Sequence, residues 1–206
     1  MFEDRKDAGV KSARALKKYK GQGVLVLGIP KGGVEVGYEV AKYLNADFSI
    51  IISRKLPFPG NPEFGFGAIS EDGSIFIISG YEESLSQELV ADIIEEQKLE
   101  IKRRISVLRN GEPLPEIKDR TVILVDDGIA MGSTMRAAIY LCKNKKAKKI
   151  VVASPVSGEN IEKEFPDQKE GMAFVSSVAP LLALAMGLRR QPISDDQFSQ
   201  KAAEVK

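Results

Sequence analysis

The sequence predicts a single α/β domain built on an open, mostly parallel, doubly wound sheet, and three observations predict it. Its apolar runs, such as Val24–Ile29, Phe48–Ile52, Thr121–Val125 and Lys149–Ala153, are continuous rather than alternating, as in strands buried on both faces. Segments with helical spacing separate them, which is the βαβ rhythm of a parallel sheet. Finally, the Gly-, Pro-, Asp- and Lys-bearing clusters at 30–33, 53–55, 126–134 and 154–158 each directly follow a strand. That places them on one edge, at the carboxyl ends of the strands, where such sheets bind ligands.

In chain order, Asp4–Tyr19 reads as a charged helix stopped by Gly21 and Gly23. The strand Val24–Ile29 breaks at Pro30-Lys31-Gly32-Gly33. Val34–Leu44 is a helix, with Val36, Val40 and Leu44 four residues apart. Phe48–Ile52 is the second strand. Leu56–Gly67, LPFPGNPEFGFG, is expected to be a loop because of its prolines and glycines. Ala68–Ile78 reads as a hairpin turning at Glu71-Asp72-Gly73. Ser84-Leu85-Ser86-Gln87 opens a long helix with a capping-box pattern, and Asn110-Gly111 ends it. A strand at Thr121–Val125, a helix from about Thr134 to Asn144 and a strand at Lys149–Ala153 complete the core. A short helix near Glu159–Phe165 and a strand near Ala173–Val175 are expected beyond it.

Composition removes several classes of chemistry. The chain of 206 residues contains no histidine, so Ser-His-Asp catalysis and His-ligated zinc are excluded. The single cysteine, Cys142, lies on the apolar side of a predicted helix and reads as a core residue; a reducing, cytoplasmic compartment is expected. Charge is balanced, with 30 basic and 29 acidic residues, and neither a leader-like h-region nor a membrane-length apolar run occurs.

VILVDDGIAMGST, residues 122–134, concentrates the chemistry. A strand delivers two carboxylates, and a glycine-bounded loop then enters a helix. The loop amides and the helix dipole suit a phosphate, while two acceptor-only carboxylates suit sugar hydroxyls or Mg²⁺. The pattern therefore asks for a sugar phosphate, with ribose hydroxyls on Asp126 and Asp127 and a terminal phosphate on Gly128 to Thr134. The bland alternative makes Asp127-Gly128 a turn and Ser133 a helix N-cap. Neither the nucleotide-triphosphate loop nor the dinucleotide fingerprint is present. A dehalogenase-type phosphatase needs Asp-x-Asp, which the adjacent aspartates do not supply.

The segment resembles the phosphoribosyl-pyrophosphate signature of type I phosphoribosyltransferases. FEDRKDAG, PKGGVEVGYEVAKYL and RKLPFPGNPEFGFGAISEDG extend the likeness to a poorly characterised group of that family. The resemblance implies one domain over 1–206, with a core of about 20–158. A hood from the N-terminal segment and about 159–206 and a mobile loop would complete it. It also implies Mg²⁺ as cofactor, 5-phosphoribosyl-1-pyrophosphate and an unidentified base as substrates, and a cytoplasmic homodimer with no nucleic acid or membrane partner.

Carried onto this chain, Asp126 and Asp127 hold the ribose hydroxyls and the metal. Gly128, Ala130, Met131, Gly132, Ser133 and Thr134 enclose the 5-phosphate, with Met131 where the family has a threonine. Gly32 and Gly33 form the pyrophosphate loop, and Lys31, Arg54 and Lys55 neutralise the departing pyrophosphate. Ala130 stands where oxopurine-specific relatives carry a carboxylate, so the base candidates are Glu63, in the expected lid, and then Glu71. Phe64, Phe66 and Phe174 are candidates to stack on the acceptor or to fill the core. The competing reading is a non-catalytic sensor of the same ligand that binds RNA, DNA or protein, with the basic stretch Lys143–Lys149 as its contact surface.

Overall fold

The structure, a computed structural model, describes residues 2–81, 84–158, 165 and 172–174. The side chains of Glu63 and of residues 172–174 lie outside the described set, as does most of the predicted hood, including the helix expected near Glu159–Phe165.

Five strands form one parallel sheet: β1 (Leu25–Gly28), β2 (Asp47–Ile50), β6 (Thr121–Val125), β7 (Lys149–Ser154) and β8 (Met172–Phe174), in the order β2-β1-β6-β7-β8. The Val/Ile/Leu runs of β1, β6 and β7 are buried on both faces, as continuous apolar strands require. Alternation along each strand divides the core in two. Leu25, Leu27, Val122, Leu124 and Val152 pack on α4 (Ser133–Asn144), with Cys142 among them. Val26, Ile123, Val125 and Val151 pack on α2 (Gly32–Leu44), which α1 (Arg5–Ala15) covers from outside. Burial pushes the Cys142 thiol up to about 12, so it stays a neutral core group. The opening helix is shorter than expected, giving way to a 3₁₀ turn at Lys17–Tyr19.

The sequence reading fails at Leu56–Gly67. The predicted loop is an antiparallel hairpin, β3 (Ser53–Phe58) and β4 (Asn61–Ser70), extended to a three-stranded sheet by β5 (Ile75–Ile77). Pro57 is tolerated because β3 is an edge strand and its register shifts on both sides of that residue, and Pro62 stands near the start of β4, outside the stretch that pairs with β5. The glycines have steric reasons. Gly60 turns the tip at φ +75°, and a Cβ on Gly65 would lie 2.3 Å from the Lys55 side chain. The β4–β5 hairpin turns at residues 71–74 as expected.

The long helix α3 (Gln87–Arg109) starts two residues later than Ser84 would allow. Ser86 is its cap, accepting from the Leu89 amide at 3.3 Å, and Asn110 closes the other end in the left-handed region. Among the described residues, no helix is long and apolar enough to cross a membrane.

Glu71 locks α3 to both sheets. Its Oε1 accepts from the Ile52 amide at 2.9 Å, and both carboxylate oxygens accept from Arg109, whose Nη1 also donates to the Ile50 carbonyl at 3.0 Å. With side chains 7% and 6% exposed, this is a buried pair. Removing one partner strands a charge, so Glu71→Ala should cost about 3–5 kcal/mol in urea denaturation. A loss below about 1 kcal/mol, the value of an exposed pair, would show that the hairpin is anchored by other contacts.

Candidate functional site

The strand order reverses between β1 and β6, which are neighbours although their helices lie on opposite faces of the sheet. A crevice therefore opens at their carboxyl ends. Pro30 and Lys31 lead from β1 into α2 on one side, through a cis peptide bond, and Asp126 and Asp127 leave β6 on the other.

The two sides meet in unusually close contact. A Cβ on Gly33 would lie 2.5 Å from the Val125 carbonyl oxygen and 2.8 Å from Asp126 Cα. On Gly32 it would overlap Asp127, 1.8 Å from Oδ2. Gly28 lets the chain fold back, since its Cβ would be 2.9 Å from the Gly33 oxygen. Thus Lys31, Gly32, Gly33, Asp126 and Asp127, separated by more than ninety residues of sequence, share one small volume. Lys31 itself is exposed at the N-cap of α2.

The second arm of the crevice is the loop Gly128–Gly132 and the start of α4. Ile129 bridges to the segment after β7, donating to the Val156 carbonyl at 3.0 Å and accepting from Gly158 at 2.9 Å. Gly132 caps α4 at φ +74°, and a Cβ there would meet the Phe165 ring at 2.6 Å. Ser133 is therefore the first helical residue and not the N-cap. Ala130 and Met131 are exposed, while Gly128, Ser133 and Thr134 are half-buried.

Helix capping separates these two helices from the rest. Asp4 caps α1, accepting from the Asp7 amide at 2.7 Å, and Ser86 caps α3. No side chain caps α2 or α4 among the described residues. The first-turn amides of both, at Gly32–Gly33 and at Ser133–Thr134, thus have no capping side chain among the described residues, and the positive ends of two helix dipoles lie behind them.

The acid pair is electrostatically loaded. Burial, and then the neighbouring Asp127 charge, hold the Asp126 carboxyl well above the usual carboxylate range. Its Oδ1 accepts from the Asp127 amide at 2.8 Å. Asp127 Oδ2 in turn accepts from Arg5 Nε at 3.0 Å. Sequence reasoning missed Arg5. It stands in the FEDRKDAG segment, but nothing in a charged helix start singles out one arginine from its neighbours. As to a metal, among the described residues no group of three or more His, Cys, Asp or Glu comes together. A Mg²⁺ ion fits only with Asp126 and Asp127 supplying carboxylate oxygens, and with substrate and water completing its shell.

Strand alternation separates Arg54 from Lys55. Arg54 pairs with Ile69 and Ile69 with Ile75, and this face lies under α3; Arg54 Nε donates to Gln97 Oε1 at 3.1 Å. Burial and the nearby Arg104 lower its pKa. Lys55 shares the other face with Ala68 and Phe76, and Phe76 stacks on Arg136 and Tyr140 of α4. Lys55 thus faces α4, the helix that follows the phosphate-type loop, while Arg54 is turned away from it towards α3, which speaks against the pyrophosphate role expected of it. Both carboxylate oxygens of Glu71 are occupied, which removes it as a base. Phe66 is a core residue, whereas Phe64 is half-buried in an aromatic cluster with Phe58 and Tyr81. The side chains of Glu63 and Phe174 lie outside the described residues.

The sequence profile of the phosphoribosyl transferase domain matches residues 6–179. The chain is 36% identical over 200 residues to a "putative phosphoribosyl transferase" of Mycobacterium tuberculosis, found in strains CDC 1551 and H37Rv. The match covers 96% of this chain but only 45% of those proteins, so the chain spans about half the length of the curated relatives it matches. In three dimensions it is similar to the crystal structure of TT1426 from Thermus thermophilus, with a TM-score of 0.81, 29% identity and 98% of each chain covered.

Because its pKa is raised, an ionised Asp126 opposes folding. That cost is absent below the unfolded value near 3.8, grows as pH rises towards the folded pKa and is complete above it. Asp126→Asn keeps the Oδ1 acceptor and should raise the Mg²⁺-free Tm by several degrees at pH 7, with the advantage shrinking towards pH 4. A lower Tm for the variant would mean that the carboxylate is stabilised in the fold.

Proposed function

The chain belongs to the phosphoribosyl transferase domain family, and from that premise we propose that it binds 5-phosphoribosyl-1-pyrophosphate with Mg²⁺. It would transfer ribose 5-phosphate to a nitrogenous base and release pyrophosphate. One observation carries this reading: two helices without side-chain caps open onto a carboxylate pair at the switch point of a parallel sheet. That arrangement offers two anion sites on either side of a hydroxyl- or cation-binding pair, matching a ribose with phosphate groups at both ends.

In this scheme Asp126 and Asp127 accept from the ribose hydroxyls. Gly128 to Thr134 enclose the 5-phosphate through loop amides and the hydroxyls of Ser133 and Thr134; Met131 contributes only its amide. The amides of Gly32 and Gly33, with Lys31 and Lys55, hold the pyrophosphate and favour its departure as negative charge builds on it. Bound Mg²⁺ supplies further charge neutralisation for the leaving group. The β3–β4 hairpin would close as the lid and exclude water from the ribosyl carbon, which takes oxocarbenium character.

A cytoplasmic homodimer is carried with this reading, the single buried thiol fitting a reducing compartment. The regulator reading gains no support from the basic stretch. Lys143 and Lys145 end α4, where cations complement the helix dipole, and the strand direction puts that end on the sheet edge opposite the crevice.

Calorimetric titration with 5-phosphoribosyl-1-pyrophosphate should show Mg²⁺-dependent binding that is lost in the Asp126→Asn/Asp127→Asn variant. A screen of bases should then identify one that releases pyrophosphate. Equal affinity in the parent and the double variant would remove the proposal.

Proton handling falls to Glu63, near the tip of the hairpin. Glu63→Gln should lower turnover by roughly 10²-fold or more with ligand affinity nearly unchanged, the usual effect of losing a general base. Turnover at the parent rate would eliminate it.

A further inference from the structure

Phe165 lies beyond β7, yet its ring reaches the far end of the phosphate-type loop. The side chain is 4% exposed and belongs to the core that packs on α4. A Cβ on Gly132 would lie 2.6 Å from its Cζ and 3.1 Å from its Cε2, so the ring takes the space beside the left-handed turn. Arg136 touches the ring too. Its Cζ is 5.2 Å from the Phe165 centroid and 4.6 Å from that of Phe76 on β5. A helical side chain leans over the preceding turn, which brings position 136 back towards position 132. One line of contacts therefore joins the hairpin sheet, α4 and the loop.

We infer that Phe165 is a positioning residue for the 5-phosphate loop, its ring fixing Gly132 in the left-handed turn while Arg136 and Phe76 hold the ring in place. The inference rests on the phosphoribosyl-pyrophosphate reading. Its reason is the uneven anchoring of the loop. Ile129 ties one end down through its backbone bonds to Val156 and Gly158. The other end is a glycine, the residue with the widest choice of backbone conformations. Among the described residues, no capping side chain holds the start of α4. A rigid ring against Gly132 then decides where the helix begins, and with it where the Ser133 and Thr134 amides point. Phe165 acts through the loop and touches no substrate. The Gly32–Gly33 turn is the other arm of the crevice, so pyrophosphate binding there does not depend on the ring.

The test is calorimetry with Mg²⁺ on the parent, Phe165→Ala and Phe165→Leu, using ribose 5-phosphate and pyrophosphate as separate ligands. Phe165→Ala should bind ribose 5-phosphate roughly tenfold or more weaker, the value of about one charge-assisted bond, and pyrophosphate as the parent does. Phe165→Leu, which keeps apolar bulk, should recover part of the loss. Gly132→Ala should weaken the same ligand, because its methyl meets the ring. In the double variant Gly132→Ala/Phe165→Ala the two losses should fall short of additive, since methyl and ring no longer collide. Full additivity, or equal weakening towards both ligands, would make Phe165 a core residue only. Unchanged ribose 5-phosphate binding would free the loop from the ring, and any of these results overturns the inference. A parent that does not bind both ligands overturns the underlying reading as well. If Phe165→Ala does not fold, Arg136→Gln removes the stack without opening the core and should show the same selective loss. A flat profile for that variant overturns the inference.

Discussion

The backbone at the start of α2 has to approach the end of β6 more closely than any side chain at positions 32 and 33 would permit. Adjacent parallel strands lie about 4.8 Å apart, so the turns that leave β1 and β6 emerge almost in contact. A methyl group on Gly32 would penetrate the Asp127 carboxylate, and one on Gly33 would collide with the Val125 carbonyl. With glycine at both places, the backbone at the start of α2 lies directly against the carboxylate pair. The positions of Lys31 and both aspartates at the crevice follow from that contact.

The closeness has an electrostatic cost, and the fold meets it unevenly. Asp127 has Arg5 as a counter-ion; Asp126 is left with burial and a like charge beside it. Two helix starts lack side-chain caps that α1 and α3 possess. Each of these features works against stability in the absence of ligand, and each is what a phosphate or a cation would relieve. The contrast with Glu71 and Arg109 is instructive. That pair is more deeply buried, yet its oxygens are engaged by the guanidinium and by a backbone amide, so it ties secondary elements together and leaves no carboxylate oxygen for a substrate.

Local signals in the sequence were reliable where a segment's own pattern decides its state. The buried strands read as unbroken Val/Ile/Leu runs, and α2, α3 and α4 showed their apolar faces to within a residue or two of their observed limits. They failed at LPFPGNPEFGFG, because proline and glycine weaken a strand only on average. On an edge strand with a register shift proline loses no needed donor, and glycine is required where the Lys55 stem crosses β4. Ser133 was a plausible cap by residue type, but the left-handed turn at Gly132 advances the helix by one residue.

By itself, the sequence determined the class of the fold, the acid pair, and the two glycine-bearing turns at strand ends, since these depend on residue type and short spacing. Only the tertiary structure decided which side chains meet. Arg54 and Lys55 are adjacent, alike in charge and equally plausible as pyrophosphate ligands, yet a strand directs neighbours to opposite faces, one under α3 and the other towards α4. Arg5 is the converse case, brought to Asp127 by the packing of one helix on another. The physical reason is the same for both. Hydrophobic periodicity has a short range along the chain, whereas the partner of a charged side chain is set by how whole elements stack, and that information is not written next to the residue.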